Sequence, residues 1–417
     1  MNTRITSRTV GGRRVLGALA VLTLVAAACG GDDQPAAGST ESASSATASA
    51  EDSATVTEPP TESSSSASTP DTDPPATDPP TTDPPTTDTL IEASALDTNG
   101  DGKVVFGIAA AGPADDGAYY QAAVDAAKQI SADNGFEAPI VVDNIQAADA
   151  ATAIGDLAQQ GVDVIIVGAS EIAEPLPQLI AEYPDVFWYC NCGAGFPENP
   201  GLAQSTDDGA EISYTAGYAT GLKLQEKGGD SVVFIGCCDL GFEKQAYMAF
   251  ELGLKAVDEA FTFTYVPTGD FPFDFDNTAN ATAALQTAID NGADAVYPYL
   301  GGAHRPVVQA ANEAGLITMS AGSSTVCSDA EELDYDIAVQ FDGGDYIRAV
   351  MGSIVDGTFV EGSVKQFKVG IDPEPGAHIC KATTEQQAAM DDIYAQIANG
   401  DFAAKFGEIA GIAFSGG

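Results

Sequence analysis

The chain has 417 residues, 44% of them apolar, so it can bury a sizeable core, and it sets 61 Asp and Glu against 16 Lys and Arg. A formal charge of −45 at pH 7 excludes electrostatic attraction to nucleic acid or to an anionic bilayer. The acid excess reads as a solvated surface that favours solubility rather than as a cation-binding face.

Arg4, Arg8, Arg13 and Arg14 lead into the apolar run Val15–Ala28, which ends in Ala26-Ala27-Ala28 before Cys29. These are the basic region, apolar region and small-residue cleavage site of a secretory signal. The run is shorter than the ~20 residues that span a bilayer. Its end on a cysteine resembles a bacterial lipoprotein signal, in which Cys29 becomes the lipidated N-terminus on the outer face of the cell membrane. A soluble secreted form and an uncleaved anchor helix are the alternatives. Residues 30–97 follow, rich in Ser, Thr, Ala, Pro and Asp, with repeated Asp-Pro-Pro steps at 73–88. Such a segment buries too little apolar surface to offset the entropy of ordering. It is expected to be a disordered, extended linker.

From Lys103 onward, short apolar runs alternate with helical stretches. Val104–Ala110, Ile140–Val142, Val164–Gly168 and Val186–Cys190 read as strands, with helices expected over 118–134, 147–160 and 172–182. The series then restarts at Ser231–Cys237 and continues through strands at 261–266, 295–298 and 317–321. Successive strand–helix units imply parallel sheets covered on both faces. Two such series in tandem predict two lobes, expected as 98–205 plus 336–358 and 206–335 plus 359–417, with a hinge where the chain crosses between them. Ligands of open parallel sheets sit outside the carboxyl ends of the strands, so the expected site is the cleft between the lobes.

The segments Asp-Asp-Gly-Ala-Tyr-Tyr (115–120), Gly-Val-Asp-Val-Ile-Ile-Val-Gly (161–168), Tyr-Thr-Ala-Gly-Tyr (214–218), Val-Val-Phe-Ile-Gly-Cys-Cys-Asp (232–239) and Asn-Gly-Ala-Asp-Ala-Val-Tyr-Pro-Tyr-Leu-Gly-Gly (291–302) occur in the same order as their counterparts in the basic membrane protein, or PnrA-like, family. The chain resembles that family over nearly all of 103–370. The family comprises substrate-binding lipoproteins of ABC importers, several of which bind purine nucleosides. The resemblance implies an α/β, bilobal type I periplasmic-binding-protein fold, with two doubly wound parallel sheets joined by a hinge of several crossings. It also implies a small-molecule ligand and an ABC permease as partners.

Carried over by position, Asp116 and Tyr119 match an acidic and a base-stacking position, and Phe242 offers a second stacking face. Tyr120 stands where the family has an amide, and Asn191 near an aspartate that bonds the base. Gly301 and Gly302 match a turn that brings backbone close to a sugar. Ser320 stands where an acid is usual, and Gln340-Phe341-Asp342 where a lysine is usual, so the sugar clamp is not intact. Asp115, Ser170 and Asp239, also at strand ends, complete the candidate set. His304 and Arg305 follow the paired glycines. At a cleft mouth Arg305 would pair with an anionic ligand group in bidentate geometry; a salt bridge between lobes is the competing reading.

Outside the cytoplasm, the remaining cysteines, Cys190, Cys192, Cys237, Cys238, Cys327 and Cys380, suggest disulfides. Cys327 with Cys380 is the favoured pair. The other four could link to one another, pair locally as Cys190–Cys192, or take a soft metal, a reading that lacks any accompanying histidine. Asp97-Thr-Asn99-Gly-Asp101 is read as a turn, because a calcium loop would need its final glutamate at the position of Ile108. Asp270, Asp274, Asp276 and Asn277 precede a helix and are read as capping it.

No nucleophile elbow or phosphate-binding Gly-rich loop is present, and His304 and His378 are the only histidines. The reading is a monomeric solute binder rather than an enzyme, with no cofactor, no metal and no nucleic-acid partner. The alternative is a surface lipoprotein that senses a ligand and signals to a membrane partner.

Overall fold

The computed structural model describes residues 96–168, 170–193, 196–270, 273–328, 333–341 and 343–415. Cys29, the signal, nearly all of the expected linker and Asp342 lie outside these residues. No helix among the described residues is long and apolar enough to cross a membrane.

The first lobe alternates β1 (Phe106–Ala109), α1 (Tyr119–Asn134), β2 (Ile140–Val142), α2 (Ala150–Ala158), β3 (Val164–Val167), α3 (Leu176–Glu182), β4 (Phe187–Asn191) and β5 (Ala203–Thr206). A late strand, β11 (Val364–Gln366), joins them in a sheet of order β11-β5-β4-β3-β1-β2, parallel throughout. Every residue of β1 and β3 is buried, which is why these strands read as continuous apolar runs rather than alternating ones. One face of the sheet packs on Val124, Ala127 and Tyr346, the other on Ile154, Leu157 and Leu176.

The second lobe contains α4 (Gly209–Lys227), β6 (Ser231–Gly236), α5 (Gly241–Val257), β7 (Thr262–Pro267), α6 (Thr278–Asp290), β8 (Ala295–Pro298), α7 (His304–Ala314) and β9 (Ile317–Thr318). Its parallel sheet has the order β7-β6-β8-β9. The chain continues through β10 (Ile337–Gln340), α8 (Gly343–Val355), β11, β12 (Gly376–Ile379), α9 (Thr384–Ala398) and α10 (Ala403–Ala413). β10 pairs antiparallel with β12 and is bridged to Met319, just beyond β9.

The two late strands depart from the expected division of the chain. β10 lies with the second lobe, where Ile337 and Val339 enter the core shared by Phe234 and Phe250, while β11 forms an edge of the first. α8 returns to the first lobe and packs Ile347 and Met351 into the same core as Val124. The chain therefore crosses after β5, after β10 and between β11 and β12.

Asp208 starts α4 by accepting from the Ala210 N–H at 2.9 Å, and Gly228, at φ 76°, ends it, a conformation glycine takes without steric cost. Asp97 accepts from the N–H groups of Asp101 and Gly102, so the acidic loop before β1 is a turn. Asn277 caps α6 by accepting from Asn280 N–H, whereas Asp276 reaches instead to the N–H of Gly302.

The sulfurs of Cys327 and Cys380 are bonded, as are those of Cys190 with Cys192 and of Cys237 with Cys238. Among the described residues no group of His, Cys, Asp and Glu is arranged to hold a metal ion. Digestion without reductant is expected to yield a peptide pair joined through Cys327 and Cys380. Recovery of these two as free thiols would contradict the pairing.

Candidate functional site

The walls of the main cavity come from the carboxyl ends of strands and the helices that follow them. From the first lobe, Tyr119 and Tyr120 open α1, Ser170 and Glu171 follow β3, Asn191 and Cys192 close β4, and Asp207 follows β5. From the second, Phe242 and Gln245 lie in the first turns of α5, Phe275 precedes α6, Tyr299 to Gly301 follow β8, and Phe341 follows β10. The cavity of about 180 Å³ is far larger than a single water needs and suits a ring-sized guest.

Local chemistry aims the tyrosines. The Asp116 carboxylate, buried at the start of α1, accepts from the N–H groups of Ala118, Tyr120 and Gln121 at 2.8 to 3.2 Å, and so sets the angle at which α1 enters. Burial pushes Asp116 up to about 6. The Tyr119 ring lies 5.5 Å from that of Tyr120, edge on, and 6.1 Å from that of Phe341, stacked. Phe341 is also 5.6 Å from Tyr299, and Phe242 stacks on Phe275 at 6.2 Å. Asn191 donates from Nδ2 to the Tyr119 hydroxyl at 2.8 Å, while its Oδ1 accepts from Ser205 at 3.1 Å. This network holds both the ring and the amide in place.

Two carboxyls face the same space. Glu171 Oε1 accepts from the Tyr120 hydroxyl at 3.4 Å. Asp207 Oδ2 accepts from the Tyr346 hydroxyl at 2.9 Å, and Tyr346 stacks on Phe367 at 4.2 Å beside the crossings. Burial raises the Glu171 carboxyl and pushes Asp207 up to about 6. Glu171 and Asp207 both raise the Tyr119 and Tyr299 phenols, after burial itself.

The profile described as "ABC transporter substrate-binding protein PnrA-like" matches residues 103–330, more than half of the chain. The chain belongs to that family. As a substrate-binding protein of the ABC-transporter type, it has a small molecule and a permease as its partner classes. No curated protein matches it. Among solved structures it is similar to an ABC transporter solute-binding protein from Conexibacter woesei DSM 14684, with 22% identity, TM-score 0.55, and coverage of 72% of this chain and 97% of that one. A solute-binding protein from Aeropyrum pernix K1 has 13% identity and TM-score 0.55, over 75% and 92% of the two chains. A transcriptional activator of the comK gene from Bacillus halodurans has 17% identity and the same TM-score of 0.55, over 71% and 98%. At these identities the likeness speaks for the fold alone, the bilobal type I periplasmic-binding-protein fold.

Within this substrate-binding protein, Tyr119, Tyr120, Ser170, Asn191, Phe242 and Gly301 line the cavity; the other candidates among the described residues do not. Asp115 is exposed and Asp116 is spent on capping α1. Gly302 is held by Asp276, and Gln340 pairs opposite Gly376 within β10. Asp239 sits outside, accepting from the Tyr247 hydroxyl at 3.1 Å and facing Lys244 at 3.6 Å.

His304 is fully buried, with Nδ1 2.8 Å from the Pro298 carbonyl oxygen and Nε2 3.1 Å from the Tyr335 hydroxyl. Ser320, also buried, donates to the Ser323 carbonyl and accepts from the Val339 N–H. Both side chains therefore serve the packing of the second lobe. Arg305 lines a neighbouring cavity with Gln121, Tyr335 and Arg348. Its guanidinium is absent from the walls of the main one, which removes the geometric basis for an anionic ligand there.

Burial holds His304 down to about 4. Its folded pKa is below the unfolded value of about 6.5, so the stability gained by keeping it neutral is present above about pH 6.5 and lost as pH falls toward 4. Proton NMR is expected to show the His304 ring resonances unchanged from pH 8 down to about 5. A midpoint near 6.5 would contradict this burial.

Glu171, Asp207, Gln245, Phe275, Tyr299 and Phe341 were not singled out as ligand-facing by sequence reasoning. Glu171 adjoins Ser170, Tyr299 lies just before Gly301, and Asp207 follows the end of β5. Glu171, Asp207, Tyr299 and Phe341 share a position just beyond a strand end, whereas Gln245 and Phe275 carry no such signal.

Proposed function

We propose that the protein captures a small ring-containing molecule, nucleoside-like in size, in the inter-lobe cavity and delivers it to an ABC importer. In this reading it works as a monomer on the outer face of the cell membrane, tethered through lipid on Cys29. The observation that carries the reading is the set of aromatic side chains contributed to one cavity by both lobes. Rings from two bodies can close on a flat guest, bury its faces and leave its edge to Asn191 and Gln245. Closure about the crossings would then present a distinct surface to the permease.

A thermal-shift and calorimetric panel of nucleosides, sugars and organic acids tests this. A true solute at 100 times its dissociation constant adds about 2.7 kcal/mol of stability, and the solute should be recovered unchanged after incubation. Turnover would mark an enzyme instead. Absence of any shift with ring compounds, with a shift from an acyclic acid, would refute the ring assignment. The sensing alternative uses the same grip, and loss of solute uptake on deleting the lipoprotein distinguishes import from signalling.

A further inference from the structure

We propose that the solute is an organic cation, a protonated amine, amidine or guanidine borne on a small ring body, with its N–H groups directed at Glu171 and Asp207. This rests on the cavity being the binding site. Glu171 Oε2 is buried and has no hydrogen-bond partner among the described residues, and its other oxygen accepts a long contact from the Tyr120 hydroxyl at 3.4 Å. A buried acceptor left without a donor is costly, so it marks where a bound molecule donates.

Asp207 supplies a second carboxyl to the same walls, and no lysine, arginine or histidine is among the described lining residues. Lys244, between Phe242 and Gln245 on α5, faces Asp239 at 3.6 Å. Six aromatic rings, Tyr119, Tyr120, Phe242, Phe275, Tyr299 and Phe341, share those walls, and π-faces attract positive charge. A neutral donor would satisfy the Glu171 oxygen but leave the negative charge uncompensated; a cation answers both and gains from the rings. That burial already raises both carboxyls agrees with a cavity short of positive charge.

Three probes with one body and three charges test the inference: phenethylamine, 2-phenylethanol and phenylacetate, with adenosine as a neutral nucleoside, titrated calorimetrically into the full chain near neutral pH. Phenethylamine is expected to bind about 10-fold or more tighter than 2-phenylethanol, and phenylacetate weakest. Glu171→Gln, which keeps the shape and removes the charge, should bring the amine within about 3-fold of the alcohol. Asp207→Asn provides an independent second variant. Equal or inverted affinities overturn the inference. Binding of adenosine alone overturns it and leaves the cavity as the site; silence from all four probes overturns both.

Discussion

Tyr119→Ala is expected to weaken solute binding by about 100-fold. The ring stands edge-on to Tyr120 and stacked toward Phe341, with its hydroxyl held by Asn191 at 2.8 Å. It is therefore pre-positioned before any solute arrives. Removing it forfeits an aromatic contact of about 1 kcal/mol and about 2 kcal/mol of buried apolar area. At ~1.4 kcal/mol per factor of ten, the sum of about 3 kcal/mol corresponds to the loss stated. Tyr119→Phe keeps the ring and removes only the hydroxyl anchor, so a loss of about 3- to 10-fold is expected. Calorimetry on both variants, with far-UV circular dichroism as the folding control, separates the contributions. Unchanged affinity in Tyr119→Ala would remove the cavity from consideration.

Gly253→Ala is expected to destabilise the protein by about 3 kcal/mol, although alanine is the better helix former. α4 and α5 cross with their backbones in contact: a methyl on Gly253 would strike the Tyr214 carbonyl, and one on Gly217 the Phe250 carbonyl. Backbone cannot swing aside as a side-chain tip can, so overpacking outweighs the roughly 1 kcal/mol gained from helix propensity. Gly352, on α8, has nothing within 4 Å of the position a methyl would take. Gly352→Ala is therefore expected to stabilise, by up to about 1 kcal/mol. Urea denaturation of the pair gives opposite signs if the contact is as described; two stabilised variants would refute it. Gly253→Ala should also weaken solute binding, because α4 begins beside Asp207 and α5 carries Phe242 and Gln245.

The repeating architecture was legible because strands buried on both faces appear as apolar runs such as Val164–Val167, and because helices stop at glycines such as Gly228. The late strands were misassigned for a physical reason. Short segments like Ile337–Gln340 and Val364–Gln366 carry no pattern that names the sheet they join, and pairing with β12 or β5 is a long-range event.

At the cavity, Tyr119, Asn191 and Phe242 could be placed from their positions at strand ends and from the family resemblance. Glu171 and Asp207 could not, since in a chain with 61 acids one more carboxylate carries no signal. His304 and Arg305 misled because a residue's place at the start of a helix does not say which way its side chain turns. In the folded chain the Pro298 carbonyl and Tyr335 hold His304 inside the lobe, and Arg305 belongs to a different cavity.

Hydrophobic periodicity is a local property, so the linear chain was enough to give two α/β lobes, while the family came from the ordered resemblance of its segments and the expected site from the rule for open parallel sheets. Which side chains meet there depended on the packing of loops far apart in sequence. Burial and hydrogen bonding arise only once those loops are together, and they separate the walls, Glu171 and Asp207 among them, from the framework behind.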